Sequence, residues 1–411
     1  MNVWIISHYS RYNARQHDLC KYLVKQGHRV TIFASSFNHF SFKEEHLAPG
    51  ESRKEEIKDG VTFVWLRTRA YRANNWRRAI GMLEFSVRSV FAGMFRAERP
   101  DVIIGTCVHM LAPIAAFLLA KFRRTAFVYE LNDVWPQSLF ESNFISPKSL
   151  MGKALLLEEK VLMKSAARVI SILPHVGDRL SDIGIPPSKF VWIPNPVNPV
   201  YFDRIKPDDG VYSVPFNVML ITTFPARGIN FDIVIEAARL LQESGNTAVA
   251  FTLVGSGPGK DRLERLATES GLTNIKFLGW IPAEQLQDTM NEASAFLVVA
   301  NHRSIYRYGI AFNKLYACLM GERPIIFTSA IGNDPVKEAN AGLTISPENP
   351  QAIVQAIGEL MAITPEQRVA FGKNGKAYAL KNHHIAAVSQ KYEQMILDSV
   401  ASKTNVANRK A

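Results

Sequence analysis

A chain of 411 residues exceeds one compact core and suits two domains of about 200 residues each. Its 47% apolar content supplies buried cores, and three scattered cysteines (Cys20, Cys107, Cys318) exclude a disulfide framework or a cysteine metal site and point to a reducing compartment. The net charge of +11 belongs to one half: residues 1–200 carry 27 basic against 17 acidic side chains, residues 201–411 carry 21 against 20, so the first half is expected to face something anionic.

In chain order, Val3-Trp4-Ile5-Ile6 reads as a buried strand, far too short for a signal core. A helix over 18–26, a stop at Gly27 and an apolar β-branched strand over 30–33 complete a βαβ unit with a buried parallel sheet. Residues 76–99 place Trp76, Ile80, Leu83, Val87, Val90, Phe91, Met94 and Phe95 at helical spacing beside Arg77, Arg78 and Arg88. Such a basic amphipathic helix can lie on an anionic membrane surface; packing of the apolar stripe onto the chain's own sheet is the plain alternative. Strands over 102–105, 126–129 and 169–172 then alternate with helices over 111–121 and 155–165. The longest apolar run, 110–120, is shorter than the roughly 18–20 residues that span a bilayer, so a soluble or peripheral protein is expected.

Turn-rich sequence follows at Pro194-Asn195-Pro196 and Pro207-Asp208-Asp209-Gly210, the best domain boundary. The alternation restarts with strands over 218–221, 251–254, 275–278, 295–299 and 324–328, separated by helices over 232–243, 260–270, 283–292 and 313–320. The expectation is an α/β chain of two Rossmann-like doubly wound domains facing across a cleft, over 1–198 and 199–382. A helix over 383–400 is expected to pack back on the first domain, ahead of a polar tail at 401–411.

Two segments carry chemistry. Gly255-Ser256-Gly257-Pro258-Gly259-Lys260 follows a strand and opens a helix, a setting in which backbone N–H groups meet a phosphate, or else an ordinary glycine-rich turn. Tyr306-Arg307-Tyr308-Gly309 leads to a helix whose first turn carries Asn313 and Lys314, a cation that makes sense there beside an anionic ligand.

These segments, with Phe277-Leu278-Gly279-Trp280-Ile281-Pro282, Lys314-Leu315 and Asn333-Asp334-Pro335, fall in an order that resembles the donor-binding half of family 4 GT-B glycosyltransferases. The likeness is strongest to the bacterial O-antigen and capsule branch, N-acetyl-fucosamine transferases included. Tyr129-Glu130-Leu131-Asn132-Asp133-Val134-Trp135-Pro136 and Ile193-Pro194-Asn195 agree in the first half, so the resemblance runs over about 1–380. It departs at Ala317, where the family commonly has a ribose-binding carboxylate, at Tyr308-Gly309, where an acidic residue often stands, and at Asn132, in place of an arginine.

The resemblance implies retaining transfer, without a metal or other cofactor, from a nucleotide-sugar, usually a UDP-sugar, to a polyprenyl-diphosphate-linked saccharide at the inner face of the bacterial plasma membrane. Gly255, Gly257, Lys260, Tyr308, Asn313, Lys314 and Leu315 would lie along the donor, and Trp280-Ile281 near the base. His109 and Asp133, each following a strand, are the catalytic candidates: a sugar-binding imidazole and a base for the acceptor hydroxyl. His8, Arg11, Arg15 and His17 lie on the first loop and helix start, where Arg15 and His17 would suit an acceptor diphosphate. A nucleotide-sugar epimerase, or a degenerate binding protein, is the alternative reading. Nucleic acid is not expected, for want of a recognition module.

Overall fold

Strand β1 (Asn2–Ile6) is apolar at nearly every position because it is covered on both faces and is buried throughout. The computed structural model describes residues 1–39, 41–72, 76–225, 229–330 and 332–408. They divide into two units, Met1–Asn195 joined by the chain from Ile385 onward, and Pro196–His384.

In the first unit β1 pairs in parallel with β2 (Arg29–Ser35), Ile5 standing opposite Ile32. The sheet continues with β3 (Arg53–Lys58), β4 (Val61–Leu66), β5 (Val102–Cys107), β6 (Ala126–Leu131), β7 (Arg168–Ser171) and β8 (Phe190–Trp192). Its order is β8-β7-β6-β5-β1-β2-β4-β3, parallel except for the edge strand β3. The β3–β4 hairpin turns through Asp59-Gly60, both at positive φ as a type I′ turn requires. The sequence reading missed it because β3 is a charged edge strand with no apolar alternation, although the Asp-Gly pair was a usable signal.

Helix α1 (Arg15–Lys25) starts three residues before the expected position. It packs with the C-terminal helix Ile385–Asn408 on one face of the sheet, where Leu19 and Leu23 share a core with Tyr392, Met395 and Ile396. Right-handed crossovers running the other way along the sheet put α2 (Trp76–Met94), α3 (Leu111–Arg123) and α4 (Leu150–Ser165) on the opposite face. For α2 the plain alternative, packing of its large apolar residues onto the sheet, does not hold. Its inner side is Gly81, Phe85, Ser86, Ser89, Ala92 and Gly93, small residues that let it sit close to α3; a Cβ on Gly93 would lie 2.8 Å from Leu119. Leu83, Val87, Phe91 and Phe95 are left exposed.

The second unit is an all-parallel sheet of β9 (Phe216–Ile221), β10 (Val249–Val254), β11 (Ile275–Gly279), β12 (Ala295–Val299), β13 (Ile325–Thr328) and β14 (Gly342–Ile345). Its order is β11-β10-β9-β12-β13-β14, with α5 (Asp232–Glu243), α6 (Lys260–Glu269) and α7 (Asn313–Met320) among its covering helices. In each unit the strand order reverses once, between β1 and β5 and between β9 and β12. In doubly wound sheets the crevice outside the carboxyl ends at such a reversal is where ligands bind.

Candidate functional sites, one at each sheet reversal

At the first reversal, His8 follows β1 and His109 follows β5, and the adjacency of those strands brings Nδ1 of His8 to 2.8 Å from Nε2 of His109. Both rings are buried, and His8 stacks on Phe85 with centroids 4.4 Å apart. Burial, seconded by the charge of Arg78, pushes the His109 pKa down to about 3; burial, then His109, Arg78 and His39, hold His8 well below its ordinary range. Two neutral imidazoles share one hydrogen bond, and Nδ1 of His109 is buried with no partner among the described residues. A buried, unpaired ring nitrogen is a costly feature unless something else bonds it, and a sugar hydroxyl would.

Asp133, after β6, is open to solvent at its surface yet hemmed in by surrounding protein, and that partial desolvation raises its pKa against the opposing pull of Arg78. That makes it a stronger base than a fully solvated carboxylate. Arg78 is therefore the electrostatic centre of this edge, and its membrane-facing assignment is corrected. Its Nε donates to the Tyr9 hydroxyl at 3.1 Å and its guanidinium lies 5.7 Å from that ring's centre. Arg77 and Arg78 differ by one position, about 100° of helix, enough to send Arg77 over the exposed Trp76 ring and Arg78 into the site. Arg88 stays exposed on the outer side.

Arg15 and His17 are corrected too. Arg15 pairs with Glu130 at 2.5 Å and donates to the Ile193 carbonyl at 3.0 Å; Glu130 is wholly buried and also accepts from Gln16 and Thr106. That guanidinium neutralises an interior carboxylate instead of forking onto a ligand phosphate. His17 is buried, its Nδ1 accepting from the Asn13 amide, which leaves Nε2 to donate to the Lys58 carbonyl at 3.3 Å.

At the second reversal, Thr222-Thr223 follows β9, and the loop after β12 leads into α7. Lys314 on the first turn of α7 donates to Thr223 Oγ1 at 3.4 Å, and no carboxylate among the described residues pairs with it. Burial lowers its pKa, so it is a half-buried cation short of a counter-charge. Between 299 and 314 the loop carries His302, Arg303 and Arg307 and no acid. Asn313 is exposed beside Lys314.

The glycine loop has a structural explanation. Gly255 and Gly257 take φ of +138° and +144°, and a Cβ there would lie 1.7 Å from the Thr222 carbonyl oxygen and 2.3 Å from that of Phe224. The amides of Gly255, Gly259 and Lys260 donate to Gly279, Phe224 and Gly257 carbonyls. The loop therefore buttresses the Thr222–Pro225 loop; those three amides are not open to a phosphate. Lys260 pairs with Glu264 on its own helix and lies over Phe277. Tyr308 is buried with its hydroxyl accepting from Arg307, and Leu315 is core. Their side chains thus support the site from behind. Trp280 is 70% exposed and Ile281 half-buried. In the sequence His8 stands out only as part of a basic loop and Arg78 only as a charge on an amphipathic helix, and Thr223 gives no signal beyond position.

A family model for the glycosyl transferase 4-like domain matches residues 12–196, and one for glycosyl transferases group 1 matches residues 216–362. The chain is 23% identical over 373 residues, 86% of its length and 89% of the relative's, to WcaI of Escherichia coli K12, a protein named for colanic acid biosynthesis. It is 28% identical over 185 residues, 44% of its length and 47% of the relative's, to a GDP-mannose-dependent phosphatidylinositol monomannoside mannosyltransferase of Mycolicibacterium smegmatis. Anabaena HepE, solved with UDP and glucose, shares the fold at a TM-score of 0.67 and 14% identity, over 96% of this chain and 98% of that one. With one glycosyltransferase model on each unit and the matching two-domain fold, the chain belongs to the family 4 type of GT-B glycosyltransferases.

Proposed function

We propose that this glycosyltransferase moves a sugar, of the acetamido-deoxyhexose class, from a UDP-sugar to a polyprenyl-diphosphate-linked saccharide during synthesis of a bacterial surface polysaccharide. The observation that carries the donor half is Lys314, a half-buried cation without a carboxylate, beside Thr223 at a sheet reversal. In the reaction the bond from the anomeric carbon to the β-phosphate oxygen breaks and a bond to the acceptor oxygen forms. The acceptor's proton passes to a base, for which Asp133 is the candidate, and the nucleoside diphosphate leaves as an anion that Lys314 stabilises. No cofactor or metal enters this scheme, and the configuration of the sugar is retained. WcaI's name supports the polysaccharide setting, and the UDP complex of HepE supports the base; the GDP-mannose enzyme keeps GDP in the test.

On the acceptor side, Nδ1 of His109 bonds a sugar hydroxyl and Arg78, in place of Arg15, meets the acceptor's phosphate. The exposed Leu83, Val87, Phe91 and Phe95, with Trp76, Arg77 and Arg88, rest on the anionic inner face of the plasma membrane, where such an acceptor resides. No helix among the described residues is long and apolar enough to cross a membrane. The test is release of nucleoside diphosphate from a panel of UDP-, GDP- and TDP-sugars, with the product's anomeric configuration read by NMR. Release that requires the acceptor supports the reading, whereas alteration of the donor without acceptor would replace it with an epimerase.

A further inference from the structure

A cavity of the first unit lies at the opposite edge of its sheet from the His8–His109 pair. It measures about 790 Å³ and is walled by the starts of β6 and β7, the ends of α3 and α4, and the C-terminal helix. The six-residue strand β6 separates it from the reacting edge by roughly 20 Å at strand rise. It is therefore not part of the site already described.

Its lining is one-sided in charge. Lys121, Arg124, Arg168, Lys189 and Lys403 face it, and no acidic residue is among the described lining. Two helix C-termini here account for some of this, since each presents about half a negative charge. Lys189 serves that purpose, donating to the Lys164 and Ala166 carbonyls at the end of α4. Five cations exceed what two helix ends call for. The floor between them is apolar, with Phe117, Phe127, Ala120 and Ala166. An apolar floor under a cationic rim fits an anion with a hydrocarbon body better than a free anion.

The cavity also borders the exposed apolar face. On α3, Phe117 and Lys121 line the cavity, while Leu118 and Phe122 of the same turns are about half exposed. Burial and neighbouring cations lower the pKa of Lys189 and of Lys403, a strain that a bound anion relieves.

We propose that this cavity binds one anionic phospholipid, its phosphodiester held by the cationic rim and the start of its acyl chains lying over Phe117. The lipid's source rests on the membrane reading above; the pocket itself does not. The test is calorimetric titration of the full chain with monomeric dihexanoyl-phosphatidylglycerol, dihexanoyl-phosphatidylcholine and inorganic phosphate in parallel. The expected result is saturable binding of the anionic lipid alone, about thirtyfold weaker in Lys121→Ser/Arg124→Ser at roughly fivefold per cation near an anionic headgroup. Equal binding of phosphate would make this a free-anion site, and equal binding of both lipids a non-specific apolar patch. No binding, or binding unchanged in the double variant, overturns the proposal. Phe91→Ser/Phe95→Ser separates the two ideas: it is expected to abolish flotation with phosphatidylglycerol vesicles and leave the short-chain titration intact. Retained flotation in that variant counts against the α2 membrane face and leaves the pocket's own result standing.

Discussion

Replacing Lys314 with methionine removes one charge and keeps the length of the side chain. The ammonium is half-buried, its described partner is the Thr223 hydroxyl at 3.4 Å, and burial holds its pKa below the ordinary lysine value. In the absence of donor, folding therefore works against this charge, and Lys314→Met is expected to keep or raise the melting temperature. With donor bound the sign reverses. A hydrogen bond to a charged group contributes about 1.5–3 kcal/mol, so kcat/KM should fall roughly 10- to 150-fold. If the lysine acts mainly on the departing diphosphate, most of that loss appears in kcat; if it grips the ground state equally, it appears in KM. Melting curves and acceptor-dependent diphosphate release on the same preparations measure both. A variant that loses stability while its kinetics stay unchanged would refute the reasoning, because the lysine would then be a structural cation.

Arg78→Met is expected to raise the acceptor KM about tenfold or more through loss of a charged contact and to leave donor affinity unchanged, as titration and kinetics together can check. The folded-state pKa of His109 is lowered to about 3 from an unfolded 6.5, so its contribution is complete above pH 6.5 and lost as pH falls toward 3; His109→Gln should make the decline of melting temperature over that window shallower, with His8 supplying the remainder. Gly257→Ala places a Cβ 2.3 Å from the Phe224 oxygen at φ +144°, for a loss of roughly 2–5 kcal/mol in urea unfolding; an unchanged midpoint would show the loop to be free of its buttress. Ala317→Glu restores the carboxylate the family commonly has, and donor affinity is expected to stay within about threefold if Lys314 and its neighbours suffice; a gain beyond tenfold would mark a weakened ribose site.

The parallel strands were legible because a strand covered on both faces must be apolar along its length, as β1 and β12 are. The outward turn of α2 was not legible. Large apolar residues at helical spacing suit a membrane surface and a core-facing stripe equally, and what decides is an inner side of mostly glycine, serine and alanine, whose role is close approach to α3. Individual site residues were harder still. His8 and His109 are 101 positions apart and meet only because β1 and β5 are neighbours. Arg15 has the chemistry of a phosphate ligand, but it is spent on Glu130, 115 positions away, an ion pair no local pattern announces. The glycine loop is ambiguous for a different reason, since backbone packing against Thr222 and Phe224 demands the same glycines that a phosphate would.

The most direct measurement is mass spectrometry of a short polyprenyl-diphosphate-linked sugar after incubation with the protein and each nucleotide-sugar in turn. Transfer predicts a mass gain of one sugar residue on the acceptor, from one donor preferentially, and its loss in Lys314→Met. An unchanged acceptor across the whole panel, with the protein folded and a donor bound, would contradict the assignment of this acceptor class and of turnover on it.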